Sequence, residues 1–507
     1  MNYAELFRVT LPETVLEVAA LLVLVVDLGA LRKAALSTRT AAAAWLGILG
    51  CAVGAWTVSL AGANGLRMGG DLLLATGGTA GAAQVGILVL TALTLLLFVG
   101  TGFTRNVGEY VAVVLMAAAG GLIIAAAQDL LVIFIGLELL SLGLYVLTAF
   151  AKKSGKSAEA SMKYYLFGGM SAAFLLFGFS YLYGISGSTS LHTVVQESFF
   201  LSVSGAAPLL WIALVMVAAG LGFKIAAVPF HLWAPDTYEG APAPAAAFIA
   251  SVSKVASFAL LISISAAVLH VFDGAHIVRV IGSTGPLPRY AGMQVPWLLT
   301  LTVLSVASML LGNLAALAQS SVRRLLAYSA VAHAGYILLG LAFFSSTNAS
   351  AQAVLYYILT YGLTTIGAFG VVSVVERATG SDRMEAFLGL QKRNPLLAAV
   401  TLFLFLSLAG IPPLVGFWAK FNLFAAVLGV SHSGVALGLV ALAIAMSAVS
   451  LYYYLQVLKR VYVMPAAEET PIAAHPVTMT VLLLIAAAVI ALGCFPSLLQ
   501  NWIASFY

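Results

Sequence analysis

The sequence predicts an all-α, polytopic integral membrane protein, and three observations carry that expectation. Of its 507 residues, 62% are hydrophobic and only 8% are charged, against about 25% charged in a soluble domain. The apolar residues come in long runs, such as Gly86 to Gly100 and Val400 to Ala409, and runs of roughly 20 match the thickness of a bilayer. The runs are continuous and do not alternate, which selects helices over a β-barrel.

About fourteen spans can be traced, near 11–31, 41–61, 82–103, 110–127, 129–150, 162–185, 208–229, 243–269, 295–319, 324–345, 352–375, 396–427, 433–458 and 476–500. The linkers are short, so the chain reads as one membrane domain. Its expected parts are the N-terminal helices 1–3 (1–108), a first repeat (109–270), a second repeat (293–459) and helix 14 (476–507).

Basic residues give the orientation. The loops after odd-numbered spans hold fifteen, from Arg32 and Lys33 through Arg323 and Arg324 to Lys459 and Arg460. The other side holds four, Arg8, Arg67, Arg279 and Arg289. Positive residues stay in the cytoplasm, so the odd loops are expected there and both termini outside. The net charge of +5 therefore points to membrane orientation and not to nucleic acid, whose basic and aromatic interleaving is missing. The start lacks a basic stretch and carries Glu13 and Glu17, which argues against a cleavable signal. Cys51 and Cys494 lie in apolar segments and read as core filler.

Two spans are interrupted. The seventh carries Pro229; the twelfth carries Gly410, Pro412 and Pro413. Proline removes a helix hydrogen bond and clashes with the preceding turn, and in lipid the freed carbonyl needs a partner or a water-lined cavity. Two broken helices five spans apart fit two five-helix repeats, spans 4–8 and 9–13. An odd span number makes the repeats inverted, and such breaks mark an ion or substrate path.

The intramembrane charges carry the chemistry. Glu138, Lys224 and Lys254 lie mid-span, and Lys420 follows the break in span 12. Each costs several kcal/mol or more in hydrocarbon and needs a partner, water or a function. Glu138 and Lys224 are the obvious pair. Desolvation disfavours the charged form of a lysine and a nearby carboxylate favours it, so a movable pair is what a proton relay needs; a static pair would only fix helix register. Lys163 either snorkels to the interface or joins the path. His231, next to the break, and His333, mid-span, either relay protons or pack. Asp27 reads as interfacial. Asp236 and Glu239 either line a cytoplasmic entrance or stiffen a turn. No glycine loop for phosphate, CxxC cluster or nucleophile elbow is present in the sequence, and nothing in it binds nicotinamide, flavin, metal or iron–sulfur.

The stretch "GFKIAAVPFHLWAPDTYEGAPAPAAAFIASVSKVA" strongly resembles the signature of the antiporter-like subunits of respiratory complex I, the proton-pumping NADH:quinone oxidoreductase. "GLELLSLGLYVL", "SMKYYLFGG", "RLLAYSAVAHAGY" and "GIPPLVGFWAKF" resemble the same family, in the expected order, from about Pro12 onward. Within it the chain is most similar to the subunit N branch, through "SVSKVA", a lysine at 420 and no long lateral helix after span 14. The resemblance implies proton translocation driven by quinone reduction elsewhere. It implies a coupled pair at Glu138 and Lys224, a central site at Lys254, a terminal site at Lys420, and path residues at Lys163 and His333. It implies no cofactor in this chain, with FMN, iron–sulfur clusters and quinone in other subunits. Expected neighbours are subunits K, J, A and an M-like chain in a bacterial cytoplasmic (inner) membrane, with both termini periplasmic. The competing expectations are a subunit of an Mrp-type cation/proton antiporter or of a membrane-bound hydrogenase-like complex.

Overall fold

The computed structural model describes residues 3–60, 66–68, 71–203, 207–270, 294–345, 348–466 and 470–507. Arg279 and Arg289, counted above for orientation, lie outside the described residues. A short helix α1 (Tyr3–Val9) leads into α2 (Leu11–Val25), which a π-turn over Val26–Ala30 extends. Two further helices, α3 (Leu36–Leu60) and α4 (Gly78–Val99), complete the first three spans. Then come α5 (Val107–Ala126), α6 (Leu130–Thr148), α7 (Gly155–Ser186) and a connecting helix α8 (Leu191–Val203). Span seven is α9 (Ala207–Ile225), ended by a break; α10 (Trp233–Gly240) follows the break, and span eight is α11 (Ala243–His270). The second set is α12 (Gln294–Leu317), α13 (Val322–Ala342) and α14 (Asn348–Thr379). A single turn α15 (Leu390–Arg393) precedes the split span α16 (Pro395–Ala409) and α17 (Val415–Val430), and α18 (Gly434–Tyr462) follows. The chain ends with α19 (Pro476–Cys494) and α20 (Pro496–Ala504).

Among the described residues, twelve helices are long and apolar enough to cross a membrane. Adding α2 with its π-turn, and α16 with α17 as one broken span, gives the expected fourteen. The protein is thus a polytopic, multi-pass helical membrane protein. Hydropathy misplaced some ends. Helices α7 and α14 have 32 residues each, about 48 Å at 1.5 Å per residue. Their polar ends project beyond the hydrocarbon, where an apolar scan stops. The sequence also did not suggest the small hairpin of Leu66–Met68 and Asp71–Leu74. Cys51 is buried as expected, but Cys494 is exposed at the end of α19.

Local chemistry fixes the helix starts. Asp129 accepts from the Leu131 and Val132 amides, Ser154 from Ser157, Ser321 from Arg324, and Asn394 from Leu397. Each such cap satisfies a terminal N–H that has no partner within its helix.

Contacts recur along the chain. A Cβ on Gly120 would lie 3.1 Å from the Gly136 carbonyl oxygen and 2.6 Å from the Leu140 nitrogen; on Gly312 it would lie 3.0 Å from the Tyr328 oxygen and 2.5 Å from the Ala332 nitrogen. Gly143 meets Ala117 and Val113 as Gly335 meets Met309 and Ser305. Every pair shifts by 192 residues, so the α5–α6 and α12–α13 hairpins pack alike. The two breaks also match. Ala226 (φ 58°) and Gly410 (φ 88°) both take a left-handed backbone, and cis peptides follow at Val228–Pro229 and Pro412–Pro413.

Candidate functional site

Lys224 stands one residue before the end of α9, buried. Its ammonium donates to the Ser141 hydroxyl on α6 and lies 5.5 Å from the Phe223 ring centroid and 5.9 Å from that of Tyr145. Glu138 lies on the same helix, one turn before Ser141, and makes none of the direct ion pairs among the described residues. The two expected partners are thus not in direct contact. Ser141 follows Glu138 by three residues, on the same face of α6, and it takes the ammonium. Glu138 itself is half-buried, between the exposed Ile135 and Leu142.

At the centre, Lys254 on α11 is buried and donates to the Ala330 carbonyl on α13 at 2.7 Å. It lies 5.9 Å from the Tyr361 ring centroid. The Tyr361 ring in turn lies 4.7 Å from that of His333, whose Nδ1 sits 2.9 Å from the Tyr357 hydroxyl. Nε2 of His333 has no hydrogen-bond partner among the described residues. Tyr336, 5.8 Å from His333 between ring centroids, has its ring 5.4 Å from the Lys420 ammonium. Lys254, His333 and Lys420 are therefore strung along buried aromatic rings.

Lys420 fills a role that the break creates. Its ammonium donates to the Leu408 and Ala409 carbonyls at 3.2 and 2.8 Å, and to Ser447 at 2.8 Å. Those carbonyls close α16, where no next turn supplies N–H donors and the helix dipole is negative. A cation is the partner that such an end favours.

At the N-terminal end of α7 and along α10 a charged cluster surrounds a cavity of about 190 Å³, lined by Lys156, Glu159, Lys163, Asp236, Glu239 and Arg324. Asp236 accepts from Lys163 at 2.8 Å and from Arg324 at 2.6 Å, and Glu239 accepts from Lys156 and Arg324, each at 3.1 Å. Lys163 also pairs with Glu159 at 2.7 Å. Lys163 thus bridges Glu159 and Asp236. Burial pushes both Asp236 and Glu239 upward, but the basic partners outweigh it and hold both carboxyls below the usual carboxylate range. His231 lies in the break just before α10, buried, with Nδ1 unpartnered among the described residues and its ring 6.3 Å from Tyr328.

Five groups were passed over or read differently in the sequence. Ser141 is one. Asn313 is another: fully buried on α12, it donates to the Tyr336 hydroxyl at 3.0 Å and accepts from that of Tyr453 at 3.2 Å. Arg323, read as a loop charge, is buried. It donates to the Glu239 and Ala241 carbonyls at the end of α10, at 3.2 and 2.6 Å, and pairs with Glu376. Glu13 is buried on α2 beside Gln84, at 3.3 Å. Asp27, read as interfacial, is buried and held by Arg39 at 2.7 Å.

The model of a transmembrane family described as NADH:quinone oxidoreductase/Mrp antiporter matches residues 127–287 and 280–448. The chain belongs to this NADH:quinone oxidoreductase/Mrp antiporter family. One relative in it, "NADH-quinone oxidoreductase subunit N 2" of Acidobacterium capsulatum, is 46% identical over 99% of this chain and 99% of its own. Among solved structures, a chain of respiratory complex I from Thermus thermophilus with bound aureothin is 32% identical, with a TM-score of 0.73 over 97% of this chain and 98% of that one. A chain of the Mrp complex from Dietzia sp. DQ12-45-1b shares the fold at 21% identity, with a TM-score of 0.78 over 98% of this chain and 96% of that one.

Proposed function

We propose that this chain is the proton-translocating subunit N of a complex I-type NADH:quinone oxidoreductase. The observation that carries the reading is the buried series from Lys254 through Tyr361, His333 and Tyr336 to Lys420, with a further buried ammonium, Lys224, held by Ser141. An ammonium buried in a membrane protein marks an ion path far more often than a scaffold. The relatives named as subunit N choose the complex I reading over an antiporter one.

In this reading Glu138 and Lys224 are the switchable pair, Lys254 the central proton site and Lys420 the terminal one. Lys163, His231 and His333 serve the path. The cytoplasmic cavity at Asp236 is the entrance. The chain has no redox centre of its own, so FMN, iron–sulfur clusters and quinone sit in other subunits. Neighbours are the K, J, A and M-like membrane subunits. The half-buried Glu138 supports this, because a carboxylate at the rim of a lipid-facing helix calls for a covering chain. The membrane is the bacterial cytoplasmic (inner) one, with both termini periplasmic.

The test is isolation of the native complex in mild detergent, with partner identification and an NADH:quinone activity assay. NADH-oxidising, iron–sulfur-bearing partners and inhibitor-sensitive activity are expected. Membrane subunits alone, with sodium/proton exchange and no redox activity, would place the chain in an antiporter complex instead.

A further inference from the structure

Three observations converge on Ser141. Its hydroxyl donates to the Leu137 carbonyl one turn back, so its remaining capacity is to accept, and it accepts from the Lys224 ammonium. It sits three residues from Glu138, on the face that looks toward Lys224. And the 192-residue correspondence between the two hairpins, fixed by Gly120 with Gly312 and Gly143 with Gly335, puts Ser141 at the position that His333 holds in the second half. His333 stands between two lysines there, and Ser141 stands between a lysine and a carboxylate here.

We propose that Ser141 is the positioning residue of the first half: its hydroxyl parks the protonated Lys224 away from Glu138 and so keeps the pair open. This rests on the proton-translocating reading above and adds a residue to it. A buried ammonium with no neutral acceptor would collapse onto the nearest carboxylate, and in a low-dielectric interior such a contact is hard to leave. Ser141 supplies the competing acceptor. It neither gains nor loses a proton overall. The ammonium moves between the serine oxygen and the carboxylate, and the proton leaves from whichever lysine geometry faces the next site. The second half needs no such parking place. Ala330 stands there at the position matching Glu138, and Lys254 rests on the Ala330 carbonyl.

The test compares Ser141→Thr with Ser141→Val in the assembled complex. The two side chains have the same shape and differ by the hydroxyl. A hydrogen bond to a charged group supports a change of about tenfold. Ser141→Thr is expected to translocate protons within about twofold of wild type, and Ser141→Val about tenfold more slowly. The pH at which the rate falls should move in Ser141→Val only, because loss of packing would slow translocation at every pH alike. Equal rates and superposable pH profiles for the two variants overturn the proposal. Lys224→Ala, measured alongside, separates the two readings. If it pumps as wild type, the role of Lys224 itself fails; if it is impaired while Thr and Val behave alike, only the role of Ser141 fails.

Discussion

Asp236 and Lys420 occupy the same position in two copies of one broken helix. Asp236 follows the left-handed Ala226 by ten residues, and Lys420 follows the left-handed Gly410 by ten. The same local fold thus carries a carboxylate in one copy and an ammonium in the other. Their surroundings differ to match. Asp236 projects between the basic side chains of Lys163 and Arg324. Lys420 turns back onto the carbonyls that end α16. One backbone device carries an ion-paired carboxylate in the first half and a buried cation seat in the second.

Lys420→Met should remove the proposed terminal site and take its donor from the Leu408 carbonyl, while the Ala409 carbonyl keeps the Ser447 hydroxyl at 3.5 Å. A buried unsatisfied group costs about 1–3 kcal/mol, so both stability and transport fall. The expected outcome is a lower proton-to-electron ratio together with a lower thermal midpoint of the detergent-solubilised complex. A variant that melts and pumps like wild type would remove Lys420 from the account.

The join between α16 and α17 tolerates no side chain at Gly416. A Cβ there would lie 1.8 Å from the Ser407 carbonyl oxygen, a backbone atom that cannot yield without separating the half-helices. Gly416→Ala should abolish accumulation of the chain in membranes, as judged by immunoblot. Gly169→Ala, with nothing within 4 Å of the new methyl, should accumulate normally.

The backbone at Ala226 is a site where glycine would fit better. A left-handed conformation costs an alanine about 1 kcal/mol or more, and glycine adopts it freely. Ala226→Gly should leave accumulation and transport intact. Ala226→Val, β-branched at positive φ, should impair both. Equal behaviour of the two would show that the backbone relaxes out of the left-handed region.

Asp236 and its basic partners should act as a latch that is insensitive to pH in the physiological range. Its carboxyl is held below the usual range, so the stabilisation is present above the ordinary value of about 3.9 and is lost only as pH falls through the lowered one. Between about pH 5 and 8 the latch stays closed. Asp236→Asn mimics the protonated state at every pH. Because the ion pairs are partly solvated, each is worth at most about 1 kcal/mol, so amide exchange over 233–240 should rise about fivefold. A wild-type exchange rate that climbs steeply from pH 8 to 5, after correction for intrinsic exchange, would contradict this.

The fold was largely legible in the sequence because the bilayer imposes it. Long apolar runs, loop charges and misplaced prolines sufficed for fourteen spans and two breaks. Costly residues announced themselves too, since Lys224, Lys254 and Lys420 have no cheap reason to be where they are. What stayed hidden was polar but inexpensive. Ser141 and Asn313 can satisfy themselves on their own helix, as both do in part through Leu137 and Met309. Their second bonds, to Lys224, Tyr336 and Tyr453, join residues far apart in sequence. Arg323 was misread for a related reason: beside Arg324 it looks like a loop charge, and only the arrival of α10 buries it. The 192-residue correspondence rests on backbone contacts at glycines, which side-chain similarity does not report.

In the proposed function, protons cross the membrane through the buried lysines of this chain. The most direct measurement is the proton-to-electron ratio of the complex carrying Lys224→Ala, reconstituted in vesicles and driven by NADH. Assembly should persist while pumping falls, with quinone reduction falling alongside it where the two are tightly coupled. Wild-type rates with a wild-type pumping ratio would contradict it.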